Sequence, residues 1–242
     1  MLKSPSLAAR FAGSLRDCRS GLAFIEFAFA LPVLLALGLL GLETANYAIA
    51  NLRVSNIAML TADNAARVRE SIDEGDVTEL LTGAKMSGSS IDFAQNGRII
   101  LTDLEPTTTG GLQWIRWQRC DGALNYTSSV AALRPLTAGG AAITNGTEIY
   151  GTDRVAASTA PSSPTKASLT QVGSGSNVIS AQAGTAVMHV EVAYNYQAVI
   201  PNSFLANRRI SYVSAFNVRQ RTDQTLRNIN RITPKSCGTF AA

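Results

Sequence analysis

Residues 21–42 read GLAFIEFAFALPVLLALGLLGL, and this run decides how the rest of the chain can be organised. From 22 to 42 there are 21 residues, all apolar or small except Glu26. An α-helix of that length, rising about 1.5 Å per residue, spans about 30 Å, the thickness of a bilayer's hydrocarbon core. The run therefore predicts a transmembrane helix. Pro32 removes one backbone donor in mid-span and should kink it. The anomaly is the acid. A carboxylate inside a spanning helix costs a few kcal/mol, which makes Glu26 a candidate functional residue.

Upstream of the run, Lys3, Arg10, Arg16 and Arg19 face one acid, Asp17, so the leader 1–21 carries +3 of the chain's net +4. The isoelectric point near 9.1 thus records a basic leader and gives no argument for nucleic acid. Basic residues before a span place the N-terminus in the cytoplasm and everything after the span outside it. A secretory signal would have an apolar region of about 7–15 residues ending at a small-residue cleavage site; this run is longer and lacks an Ala-x-Ala signal. Leu15-Arg16-Asp17-Cys18 has charges where a lipoprotein box has small apolar residues.

The junction itself is a small residue, four apolar residues and a glutamate: Gly21, Leu22-Ala23-Phe24-Ile25, Glu26. This resembles the type IV prepilin motif. Continued through Phe27-Ala28 and Leu31-Pro32-Val33-Leu34-Leu35, it is similar to the TadE-like minor pseudopilins of the tight-adherence (Tad, or Flp) pilus system. The motif covers about a tenth of the chain. The resemblance implies that a prepilin peptidase cuts after Gly21, leaving Leu22 as the new N-terminus. It implies that Glu26 neutralises the amine of a neighbouring subunit during assembly. It also implies a pilin-like fold, other pilin and pseudopilin subunits and Tad assembly proteins as partners, and a single-pass inner-membrane location with the C-terminal domain in the periplasm, within or beneath a pilus. The competing reading is an uncleaved signal anchor, with Glu26 near the headgroups, carrying an extracytoplasmic binding module.

With 242 residues the chain can hold one anchor and one globular domain with its own core. Residues 43–72 lack glycine and proline, and the helix is expected to continue to 72. Ala45, Ala48, Leu52, Ser55, Met59, Ala62 and Ala66 form one stripe at steps of three and four, suited to packing on a sheet or a neighbouring helix. Gly75 should break the helix, and Asp76 with Glu79 reads as a capping box opening a short helix that Gly83 ends. Beyond it, 91–93 and 98–104 read as a hairpin around Gln95-Asn96-Gly97. Strands are expected at 114–120, 186–196 and 210–219, with short ones near Ile149 and Val178 in a mobile loop at 137–185. A short helix is expected at 223–232. The layout is α+β: a long N-terminal helix packed on an antiparallel sheet, with the extracytoplasmic domain at 73–242.

Catalytic constellations are scarce. The single histidine, His189, shares a strand face with Glu191 opposite Met188, Val190 and Val192, and reads as a solvated residue. No Cys-x-x-Cys, His-Glu-x-x-His, Gly-x-Ser-x-Gly or phosphate-loop motif occurs, and the Asp-x-Ser-x-Ser metal pattern carried by larger relatives of the resembled family is absent. Asn125 and Asn145 match a glycosylation pattern that the bacterial resemblance makes a chance match. The reading is a non-enzyme without metal or cofactor. Cys18 falls in the leader, so Cys120 and Cys237, on the oxidising side, are the economical disulfide, with two separate buried thiols as the alternative. Finally, 70–79 holds five acids and no base, whereas 208–235 holds seven bases and one acid. These runs are either solvated surface or an acid–base contact, within the fold or between stacked subunits. Nucleic acid is disfavoured because no aromatic residue interleaves the tail's arginines.

Overall fold

The computed structural model describes residues 20–106, 113–130, 172–174, 177–201 and 203–242. Residues 1–19 of the leader, the strand expected near Ile149 and most of the loop expected at 137–185 lie outside these residues. The described chain is mixed α+β. Its contacts divide it into two units, Met1–Asn46 and Tyr47–Ala242.

Helix α1 (Ser20–Arg67) runs through Pro32 without interruption. In the first unit its apolar side chains, Leu22 and Phe24 through Leu40 and Leu42, are exposed. It is the one helix among the described residues long and apolar enough to cross a membrane, with a mean hydropathy of 2.3 over an 18-residue window. In the second unit the buried line on α1 is Ala50, Val54, Ile57, Ala58, Ala62, Ala65 and Ala66. This corrects the expected stripe. Ala62 and Ala66 belong to both, but Leu52 and Met59 are exposed. Alanine on every side of the helix hides its amphipathic direction, and the β-branched Val54 and Ile57 set which side goes in.

The helix also ends earlier than expected, at Arg67, and Glu70 takes a left-handed turn (φ 58°). Strand β1 (Ile72–Asp73) follows, then helix α2 (Glu74–Ser87). Gly75 lies inside α2, and Gly83 does not end it. The cap is set one turn upstream of the expected one. The Asp73 carboxylate accepts from Gly75 N (2.9 Å), and the Asp76 carboxylate accepts from Asp73 N (2.9 Å). A 3-10 turn (Ser89–Ile91) and the single turn α3 (Phe93–Asn96) then lead into β2 (Gly97–Pro106). The expected hairpin at Asn96-Gly97 is therefore absent. Gly97 is needed for a close approach: a Cβ there would lie 2.5 Å from the Phe93 ring.

The hairpin that does form joins β2 to β3 (Gln113–Asp121), in a ladder from Ile99–Asp121 to Pro106–Gln113 with a register shift between Asp103 and Leu104. Strands β4 (Val172–Ser174) and β5 (Asn177–Ile179) make a separate two-stranded ribbon, which places the strand expected near Val178. Next come β6 (Val187–Asn195) and β7 (Arg209–Asn217), and the antiparallel sheet is ordered β3-β2-β6-β7. The tail 223–232 holds no helix. It contributes β8 (Leu226–Arg227), which pairs in parallel with β1. A helix there would forfeit the hydrogen bonds that Asp73 and Asn228 supply to the backbone of Ile229 and Ile232.

Both faces of the sheet are covered, as the unbroken burial of β2 and β6 requires. On one face Ile99, Leu101, Met188, Val190, Val192 and Tyr194 pack with α1 and with Val77 and Leu81 of α2. Tyr47 meets Tyr196 edge-on at 5.0 Å. On the other, Leu104, Ile115, Val130, Val172, Ala181 and Val187 form a second cluster, and Ile100 packs with Cys120 and Cys237 in a third.

Candidate assembly and processing site

Gly21, Leu22 and Glu26 all fall in the first two turns of α1, and all three are exposed. The Gly21–Leu22 bond lies where the first four N–H groups of a helix have no intrahelical partner. An added Cβ at Gly21 would meet nothing within 4 Å. Leu22 and Glu26 stand four residues apart, which places them on one helix face about one turn apart. Farther along the first unit, Thr44 returns its hydroxyl to the Leu40 carbonyl (2.8 Å).

Cys120 and Cys237 are joined in a disulfide, with Cα atoms 4.7 Å apart across a sequence separation of 117. The bridge fastens the C-terminal tail to β3. Arg98 strengthens the same junction: its guanidinium donates to the carbonyls of Gly122 (2.7 Å), Thr239 (2.6 Å) and Cys237 (2.8 Å) and lies 4.4 Å from the Phe240 ring centre. Desolvation lowers the Arg98 pKa, opposed by nearby Asp121, yet three carbonyl acceptors suit the charged form. Asp121 is itself flanked by Lys85 (3.1 Å) and Lys235 (3.3 Å).

The acidic and basic runs meet inside the fold, but backbone brings them together more than charge does. Asp73 lies opposite Arg227 in the β1–β8 pair, while its carboxylate accepts from Ile229 N (2.9 Å). Glu74 turns to β3, where Arg119 Nε donates to both its carboxylate oxygens at 3.0 Å. In the basic run, Arg219 pairs with Asp63 of α1 (2.8 Å) and Arg227 with Asp223 (2.9 Å). Arg221 is buried. It donates to the Ala65 (3.3 Å) and Val68 (3.5 Å) carbonyls at the end of α1 and to Gln224 Oε1 (2.8 Å). It therefore serves as a side-chain cap for orphan carbonyls of that helix.

His189 and Glu191 correct the sequence reading: both are buried. Their strand face is covered by residues 122–130 and by the second apolar cluster, which the alternation of β6 alone could not reveal. The Glu191 carboxylate accepts from Ser128 Oγ, from Ser129 Oγ and from Ser129 N (2.8 Å). His189 Nδ1 has no hydrogen-bond partner, and burial pushes the imidazole pKa down, with Glu191 acting the other way. A neutral, enclosed histidine results. Among the described residues no group of three or more His, Cys, Asp and Glu side chains is placed to hold a metal ion.

Two features escaped the sequence reading. One is Asp103 of β2, fully buried, with neither carboxylate oxygen accepting a hydrogen bond of normal geometry. The other is part of the outer side of α1 in the second unit, where Ile49, Leu52, Met59 and Leu60 are exposed; Leu52 and Met59 stood in the expected stripe, and Ile49 and Leu60 did not. Compared with known proteins, the chain matches no family model, no curated protein and no solved structure.

Proposed function

We propose that the protein is a membrane-anchored assembly subunit, a TadE-like minor pseudopilin, cut after Gly21 by a prepilin peptidase and working without catalysis. The observation that carries this reading is the unburied apolar side of α1 beyond the span. Ile49, Leu52, Met59 and Leu60 are at least 48% exposed, on a helix that also offers Val54, Ile57 and Ala62 to its own core. A helix that needed only to hold its domain would turn polar residues outward. A second apolar stripe fits a neighbouring helix. On this reading α1 lies in the cytoplasmic membrane with its N-terminus inside and the sheet domain outside, and Glu26 meets the Leu22 amine of another subunit.

The test has two parts. The chain recovered from membranes should begin at Leu22, and Gly21→Val should leave full-length precursor. Glu26→Leu should still insert, be cut and fold, yet be lost from crosslinks to other pilins and from the pilus fraction. A mature chain that keeps residues before Leu22, or normal incorporation of the Glu26→Leu protein, overturns the reading.

One observation favours the rival, an uncleaved anchor bearing a binding module. A cleft of about 440 Å³ between α1 and α2 is lined by Leu60, Asn64, Asp76, Glu79 and Leu80, within the size range of small-ligand sites. The same N-terminal sequencing separates the two, since the anchor keeps its leader.

A further inference from the structure

The four-stranded sheet ends on β7, and no described strand pairs with its outer edge. Folded proteins blunt such edges with short strands, proline, charge or bulges, because open N–H and C=O groups invite another strand. β7 uses none of these between its ends. It is nine residues long, its register against β6 runs unshifted from Asn195–Arg209 to Val187–Asn217, and residues 210–217 contain no proline and no charge. The phase of its hydrogen bonds follows from two contacts: Tyr196 N donates to Arg208 O and Val218 N to Ala186 O, both at 2.8 Å. Even-numbered residues therefore bond to β6, and Arg209, Ser211, Val213, Ala215 and Asn217 turn their backbone groups outward. Val213, the centre of that set, is 54% exposed.

We propose that this edge is a homodimer interface, in which β7 of a second copy pairs antiparallel with it about a two-fold axis at Val213. The charge pattern selects that occupant. Centred on Val213, all nine residues pair, with Arg209 opposite Asn217, Ser211 opposite Ala215 and Val213 opposite its own copy. The flanking cations Arg208 and Arg219 fall opposite Val218 and Asn207, so no two like charges stand directly opposite one another. A parallel copy would instead set arginine beside arginine at both ends. The antiparallel pairing is isologous and closes, joining two four-stranded sheets into one of eight strands and leaving no long bare edge at the join. The inference goes beyond the pilus reading and stands or falls without it.

Cysteine pairs read the register in the full chain, in detergent, with Cys18→Ser so that the only native cysteines are those of the Cys120–Cys237 bridge. Directly opposed residues on antiparallel strands lie about 5.5 Å apart at Cα, within disulfide reach. Position 211 would stand about 13 Å along the strand from its own copy. Val213→Cys should give a disulfide-linked dimer under mild oxidation. Ser211→Cys and Ala215→Cys should each form no intermolecular disulfide alone and crosslink when mixed. Val213→Lys, an exposed change that sets two ammonium groups face to face, should weaken dimerisation at least about fivefold by light scattering. A monomeric chain whose Val213→Cys form does not crosslink overturns the interface. So does crosslinking of Ser211→Cys alone to the same extent as Val213→Cys, which would mean random collision.

Discussion

The two units of this chain differ in what they leave exposed and in what they enclose. In Met1–Asn46, thirteen large apolar side chains between Leu22 and Leu42 stand exposed. In Tyr47–Ala242, Glu74, Arg98, Asp103, Arg119, Glu191 and Arg221 are all buried. Each exposed Leu or Phe forgoes roughly 1.5–3 kcal/mol that burial would bring in water, so the first unit is suited to hydrocarbon or to neighbouring helices. The second unit is suited to water outside, and its buried charges are tolerable only where partners replace the lost hydration. The difference teaches that polarity patterns report the solvent each segment is built for, while the partners decide which charges survive inside.

The sharpest way to break the second half of that comparison is to remove one partner. Arg119→Ala would leave the Glu74 carboxylate buried without the guanidinium that now donates to both its oxygens. The expected cost is about 3–5 kcal/mol, because an uncompensated buried charge is worse than a missing pair. Urea unfolding of the detergent-solubilised chain, followed by near-ultraviolet circular dichroism, reads it. The double change Glu74→Leu with Arg119→Met should recover most of the loss. A cost below about 1 kcal/mol for Arg119→Ala would show that water reaches Glu74, and the contrast between the units would weaken.

How far the sequence foretold this follows the same line. The long apolar helix was legible because every residue from 22 to 42 but Glu26 agrees, and β6 was legible because Met188, Val190 and Val192 alternate with others. What lay on the other face of β6 was not. Alternation says which residues share a face, and only the distant covering, residues 122–130 with the second apolar cluster, makes His189 and Glu191 interior. The disulfide could be paired by compartment, but the Arg98 clamp on Gly122, Cys237 and Thr239 could not, since those contacts join residues up to 141 apart. The hairpin expected at Asn96-Gly97 failed for a packing reason, the Phe93 ring pressed against Gly97. Gly21, Leu22 and Glu26 stood out in the motif, whereas on the outer side of α1 only Leu52 and Met59 fell in the expected stripe and alanines that suit either side obscured the rest.

Asp103 is the exception that sharpens the comparison, a buried acid whose neighbours do not satisfy it. Burial raises its pKa well above the ordinary carboxylate range, and Glu105 on the same strand adds to the rise. Arg221 from the tail and Arg116 from β3 act against it. The Arg116 guanidinium, however, is engaged by Glu105 (2.6 Å) and Thr225 (2.7 Å), and Trp117 gives its indole N–H to Gln224 O (3.2 Å). With the folded pKa above the unfolded one, the folded chain holds the extra proton, so stability falls as pH rises from the ordinary carboxylate value toward the folded one. The slope is at most about 1.4 kcal/mol per pH unit. Asp103→Asn should abolish that fall and stabilise the chain at neutral pH, seen as a Tm that declines less between pH 5 and 8 (roughly the range of maximal stability). Parallel declines in the two proteins would show that Asp103 is ionised and paired.

The smallest expected effect tests the exposed apolar surface where it crosses into the second unit. Leu52 is 66% exposed, and Val54, two residues along the same helix, is fully buried. Leucine and alanine differ little in helix propensity, and alanine is slightly the better. With most of its side chain already in solvent, Leu52 has little burial to lose, and substitutions at such positions stay within about 0.5 kcal/mol. Leu52→Ala should therefore leave the urea midpoint of the solubilised chain unchanged. The same substitution should reduce crosslinking of α1 to other subunits, if the outer stripe is kept apolar for a neighbour. A stability loss above about 1 kcal/mol would mean that Leu52 is buried by the chain's own fold in solution. The apolar surface of α1 would then divide at Asn46 into a part for the membrane and a part for the core, with nothing left over for a partner.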